Sequence, residues 1–140
     1  MTPTVPVVLN GLARTLLMDL APQVTVAYAG QTVQLAGVLT MMIAQEFERA
    51  AARLVEENAA VEAILADAGD DFASLAEARE PSLLVSALQA RNRDLRAALT
   101  RLHAQVDTVD TPEARALEAR IWAELVESTR RRLLDMAMPS

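Results

Sequence analysis

Residues 32–66 read TVQLAGVLTMMIAQEFERAAARLVEENAAVEAILA, and this stretch decides the fold class. Leu35, Leu39, Met42, Ile43, Phe47, Ala50, Leu54, Val61 and Leu65 recur at steps of three and four, the spacing of one face of an α-helix. A helix from about Thr32 to Ala66 is about 50 Å long at 1.5 Å per residue. Its charged residues start only at Glu46, and pairs such as Glu46 with Arg49 can support the exposed side. Gly69 is the expected left-handed stop.

On the N-terminal side, Leu9, Leu12, Ala13, Leu16, Leu17 and Leu20 form a second apolar stripe, giving a helix over roughly Val7–Leu20. Pro22 ends or kinks it, because proline lacks a backbone donor and crowds the preceding turn. Gly30 reads as a break before the long helix. On the other side, Asp70 or Asp71 starts a short helix through Ala78, and Pro81 sits in the opening turn of a helix over Ser82–Val106, with Leu84, Leu88, Leu95, Leu99, Leu102 and Val106 inward. Thr111-Pro112-Glu113 supplies cap, first-position proline and first-turn acid for a last helix to about Met136. Leu117, Ile121, Trp122, Leu125 and Leu133 are its apolar face. Pro139 follows it. The expectation is one all-α domain over residues 1–140, an up-and-down bundle of four long helices plus one short helix, with neighbours antiparallel across short connections.

Composition removes much chemistry. The chain has 140 residues, no Cys, a single His and thirteen basic residues that are all Arg. Thiolate catalysis, disulfides and cysteine metal sites are therefore excluded, as is Schiff-base chemistry on lysine. A site with several histidines from one chain is excluded too. Absence of Cys fits a cytoplasmic protein. The net charge of -6 argues against nucleic acid. Residues 20–45 are 26 positions without a formal charge. Pro22, Gln23, Gln31, Gln34 and several threonines interrupt them, so the stretch reads as a buried helix and not as a membrane span.

A few polar residues interrupt the apolar pattern. Asn92 stands where the stripe Leu88–Leu95–Leu99 calls for an apolar side chain, with Arg91 beside it. A buried amide of this kind sets bundle register by pairing with another polar group. Glu46 lies at the edge of the long stripe, where a boundary carboxylate pairs with Arg49 or, across a bundle, with Arg91 or Arg93. His103 lies off the centre of its stripe, four residues before Asp107, which could orient the ring. No G-x-S-x-G elbow accompanies it, so no triad follows. Glu46, Arg91, Asn92 and His103 are the ligand-facing candidates. Position 100 is Thr, so the Glu-x-x-His pattern of ferritin-like metal sites fails. No metal ligand set and no cofactor are expected. Glu124 and Glu127, flanked by Glu118 and Arg131, read as a solvated charged stripe. Arg130, Arg131 and Arg132 point in three directions and read as helix-dipole partners.

Three segments carry a resemblance: Asp19-Leu-Ala-Pro22, Ala36 to Leu54 with its Ala-rich acidic–basic pattern, and Ile121 to Leu134. They are similar to a bacterial all-helical family whose members are often encoded beside acyl-CoA dehydrogenases and aminoglycoside-phosphotransferase-like kinases. The resemblance implies an all-α fold and an accessory role, and it supplies no catalytic residues. The stretch Leu20 to Gln34 carries less charge than that family's pattern.

The shortage of reactive groups points away from an enzyme. It favours a helical interaction or accessory module, a homo-oligomer through the charge-free stretch, with a protein partner as a further option. The alternatives are an apolar or acyl ligand held between helices near Met18, Met41 and Met42, and, last, a nucleotide hydrolase using a metal on clustered acids such as Glu56, Glu57 and Glu62.

Overall fold

The computed structural model describes residues 2–77 and 82–135. The expected ends at Ala78 and Met136, and the positions of Pro81 and Pro139, lie outside these residues. The described residues are all-α and contain no strand. The helices are α1 (Val5–Arg14), continued by a π-helical segment (Thr15–Leu20) and a 3-10 turn (Ala21–Gln23), then α2 (Ala27–Ala66), α3 (Asp70–Glu77), α4 (Val85–Val106) and α5 (Pro112–Arg131). They divide into two compact units, residues 1–50 with 134–140, and residues 51–133. The division falls inside α2.

In the first unit, Pro22 has the effect its chemistry demands. Pro22 cannot donate, and the turn before it widens so that the Ala21 N–H reaches the Leu16 carbonyl, five residues back. The Gln23 side-chain amide donates to the Asp19 carbonyl at 2.7 Å. The chain then turns through extended Val24 into α2. Gly30 is no break: α2 starts at Ala27, and the Gly30 N–H donates to the Val26 carbonyl at 2.9 Å inside its first turn. One glycine on α2 serves close approach. A Cβ at Gly37 would lie 2.5 Å from Leu17 Cγ, whereas one at Gly30 would make only ordinary contact with the Val24 carbonyl oxygen at 3.5 Å. The π segment is therefore seated on α2 at Gly37. The last described residue, Asp135, belongs to this unit and donates its backbone N–H to Gln45 Oε1 at 2.8 Å.

Burial in this unit inverts the usual order. Its buried positions are Ala13, Ala21, Gly30, Gly37, Met41, Ala44 and Ala50, while Tyr28 (81%), Leu35 (59%), Ile43 (57%) and Phe47 (58%) are exposed, with Leu39 and Leu12 about half so. The stripe read as one buried face of α2 is thus divided. Leu54, Val61 and Leu65 are buried, but Leu35, Leu39, Ile43 and Phe47 are not. Amphipathic spacing assigns residues to a face, and it does not say whether anything in the same chain covers that face.

The second unit has a conventional core. Val61, Ile64 and Leu65 of α2, Phe72 of α3, Leu95, Ala98, Leu99 and Leu102 of α4 and Ile121 of α5 form one buried cluster, with Leu117 and Leu125 against it. Each large side chain in it contributes about 1.5–3 kcal/mol. Gly69, with φ +103°, reverses the chain after α2, as a left-handed stop does. The short α3 returns along α2, with Ala73 and Ala76 beside Ala66, Ala63 and Ala59. Then α4 runs parallel to α2: Leu83 lies near Val55, the Leu88 carbonyl accepts from Asn58, and Arg91 meets Glu62. Finally α5 runs back, from Arg120 on Asp67 to Arg132 on Glu57. This is an up-down-up-down order whose second member is short.

Some boundaries differ from the pattern. Ser82 precedes α4, where its hydroxyl accepts from the Leu84 N–H at 3.2 Å, and Leu84 is 68% exposed instead of inward. On α5, Thr111 caps as expected, accepting from the Ala114 N–H at 3.2 Å. The helix ends at Arg131, and Trp122 and Leu133 are exposed, so the apolar face is narrower than the sequence suggested.

Two alanine substitutions separate propensity from packing. Gly11→Ala, with open space around it, raises stability by about 0.5–1 kcal/mol through helix propensity. Gly37→Ala carries the same gain against about 1–3 kcal/mol of overpacking on Leu17. It is the less stable of the two variants in thermal melts, and adding Leu17→Ala to it relieves part of the deficit.

A candidate functional site: the buried charged layer of the second unit

Within the second unit, each of three helices carries polar residues at core positions. On α2, Glu57 and Asn58 follow Leu54 by three and four residues and precede Val61. Asn92 stands between Leu88 and Leu95 on α4, with Arg96 one turn on. Glu124 and Ser128 continue the α5 stripe Leu117–Ile121. Packing brings all of them to one level, between Leu54 and Leu88 on one side and Val61, Leu95 and Ile121 on the other.

Glu57 is at the centre and is fully buried. Its Oε2 accepts from Arg132 at 2.6 Å, from Arg96 at 3.3 Å and from Asn92 at 3.4 Å. Its Oε1 accepts from the Ser128 hydroxyl at 3.2 Å. Ser128 in turn accepts from Arg96 and Arg132, both at 2.7 Å. Glu124, also buried, is paired with Arg131 at 3.1 Å and with Arg96 at 3.6 Å. An isolated carboxylate in this position would cost several kcal/mol in lost hydration. Guanidinium groups from two other helices and a complete set of donors offset that cost. Asn58 closes the layer, donating to the Leu88 carbonyl at 3.2 Å and accepting from Asn92 at 2.9 Å.

This arrangement corrects two expectations. Glu124 and Arg131 are an inward pair, not part of a solvated stripe. The three consecutive arginines do diverge, yet each finds an acid: Arg130 takes exposed Glu127 at 2.6 Å, Arg131 takes Glu124 and Arg132 takes Glu57. The Arg130 hydrogen bond, with smaller Coulombic help from Arg130 and Arg131, holds the Glu127 carboxyl below the usual glutamate range, and the same bond raises Arg130.

The four candidate residues separate. Glu46 is half-buried on α2 in the first unit, while the other three belong to the second. Asn92 joins the layer. Arg91 stands beside it, donating through Nε and Nη2 to Glu62 at 3.1 and 2.9 Å and to the carbonyls of Leu75 and Ala76, so that it ties α3 to α2 and α4. His103 packs edge-on against Trp122 with ring centroids 5.3 Å apart. Glu57 and Glu124 were read only as clustered or solvated acids and Ser128 was not singled out, although the signal that exposed Asn92, a polar residue in phase with an apolar stripe, is present for all three.

Chemically the layer is a set of ion pairs around two buried carboxylates, with the Arg96 Nε buried and without a hydrogen-bond partner. Among the described residues no three acids or histidines converge as a metal-holding group, and no helix is long and apolar enough to cross a membrane. The grooves beside the layer are open; one of about 340 Å³ is lined by Ala60, Ile64, Arg120, Ala123, Glu124 and Glu127, and one of about 320 Å³ beside Asn58 includes Val55, Leu83 and Leu88. No protein-family model, curated protein or solved structure matches this chain.

Two outcomes follow. Glu57→Ala leaves buried donors of Arg96, Asn92 and Ser128 without their acceptor and costs about 3–5 kcal/mol in urea unfolding, whereas Arg132→Ala costs less, because Arg96, Ser128 and Asn92 still hold the carboxylate. Glu127 titrates below the ordinary glutamate value by NMR and returns towards it in Arg130→Ala. The sign follows from the lowering: the pair's stabilisation is present above the unfolded pKa and is lost as pH falls through the folded one. The Glu127 side chain is 37% exposed, and solvent screening keeps the effect on stability small.

Proposed function

We propose that this protein is a non-enzymatic helical interaction module that self-associates through the apolar face of α2 in its first unit. The observation that carries the reading is the divided stripe. Leu35, Leu39, Ile43 and Phe47 continue the spacing of Leu54, Val61 and Leu65, but only the second group is covered. Single exposed leucines are ordinary, and a contiguous apolar row is not.

The surrounding chemistry supports a protein surface as the partner. Residues 20–45 hold no charge, so burying Leu35, Leu39 and Ile43 desolvates no ion of that stretch, and charges begin only beside Phe47. Helices that lie on lipid surfaces flank their apolar face with Lys or Arg, and this stretch has neither. The other two readings are weaker. A hydrolase needs three converging acids, and Glu57 and Glu124 are already committed to arginines. The methionines suggested for an acyl pocket diverge in environment, with Met41 buried and Met18 59% exposed. An accessory role beside a partner enzyme is compatible with self-association and adds a second binding event to it.

Sedimentation equilibrium tests the proposal. The wild-type chain is expected as an oligomer at tens of micromolar, and Leu39→Glu or Ile43→Glu as a monomer with unchanged helical circular dichroism, since both side chains are exposed within one chain. A wild-type monomer at that concentration refutes it.

A further inference from the structure

We infer that the Gln45 side chain is a backbone clasp by which the segment after α5 straps the first unit closed, so that release of this segment opens that unit alone.

The first observation is the geometry of the contact. Asp135 donates its backbone N–H to Gln45 Oε1 at 2.8 Å, and Gln45 Nε2 donates to the carbonyl of the same residue. The two residues are 90 positions apart in sequence. A glutamine amide carries an acceptor and two donors side by side, so it satisfies both backbone groups of one residue at once. A carboxylate in its place would only accept, and a guanidinium would only donate. The clasp therefore holds the backbone whatever side chain stands at position 135. Those backbone groups are open to it because α5 ends at Arg131 and residues 133–135 belong to no helix.

The second observation is the way the segment enters the unit. Leu133 is 65% exposed, whereas Leu134, with which the chain re-enters the first unit, is partly buried. The third is the weakness of what the strap closes. Among the described residues of the first unit, Met41 is the one large side chain that is buried, and the other buried positions are Ala and Gly. An interior of this kind gains little from burial. Two hydrogen bonds are then a large share of what keeps the unit closed, and local opening follows the weakest unit first. The second unit, with its cluster from Val61 to Ile121, has no such dependence.

Native-state hydrogen exchange followed by NMR tests the clasp, read separately over residues 5–50 and over the second unit. Gln45→Met keeps the length of the side chain and removes both hydrogen bonds. Asp135→Ala and Asp135→Pro both remove the carboxylate, and only proline also removes the N–H donor. Gln45→Met is expected to lower protection over residues 5–50 about tenfold. Asp135→Pro is expected to lower it below Asp135→Ala, and all three are expected to leave the second unit as in wild type. Unchanged protection over residues 5–50 in Gln45→Met overturns the clasp. An equal fall in Asp135→Ala and Asp135→Pro also overturns it, because the hold is then on the carboxylate and not on the backbone. A fall in both units together shows a single cooperative structure and removes the separately opening unit.

Discussion

A carboxylate without access to water has to be answered wherever the chain places it, and Glu57 sets that requirement for the whole second unit. Its oxygens face α4 and α5, and donors reach it from both: Asn92 and Arg96 from the first, Ser128 and Arg132 from the second. An apolar core tolerates a slide of one helix along another at modest cost, because one leucine replaces another. A buried acid with four assigned donors does not, since a slide strands charge on both sides. The level at which α2, α4 and α5 meet is therefore set here, and the apolar cluster from Val61 to Ile121 packs in the register that results.

The first unit is built on a different principle. Its interior is made of Ala and Gly with Met41, so helix backbones come close and little large apolar surface is removed from water. Such an interior gives shape at low hydrophobic gain. The large side chains lie outside it, along α2 and on α1 at Val5, Val8 and Leu12. Within a single polypeptide this leaves the first unit with less driving force than the second and with a surface whose apolar character needs a use. The proposed self-association accounts for both facts together.

The extent to which this was legible from residues alone differs between elements. The helices themselves were readable, because spacing, Pro112, Gly69 and Thr111 are local signals. The start of α2 was not, since Gly30 looks like a break, yet its N–H donates to the Val26 carbonyl within the helix's first turn. Asn92 stood out as a lone amide among leucines, whereas Glu57 and Glu124 were obscured by charged neighbours that made them resemble a solvated face. Their partners depend on which helices adjoin, and α4 runs parallel to α2 only because α3 makes the return journey. Exposure of the Leu35–Phe47 row was illegible for a similar reason: periodicity is a property of one helix, and coverage is a property of what surrounds it.

The π segment before Pro22 has an effect beyond ending a helix. A π turn takes up an extra residue, so the side chains after it are rotated in phase from those before it. Leu17, within the segment, is turned onto Gly37, while Val5, Val8 and Leu12 upstream hold a face of their own in the open. Val5 and Val8 lie outside the stripe from Leu9 to Leu20, whose upstream member Ala13 is buried, so the open face upstream is a second one beside the stripe and not its continuation. The contact with Gly37 is made by Leu16 and Leu17 within the segment, so the seating on α2 is set by the residues that the π turn re-aims.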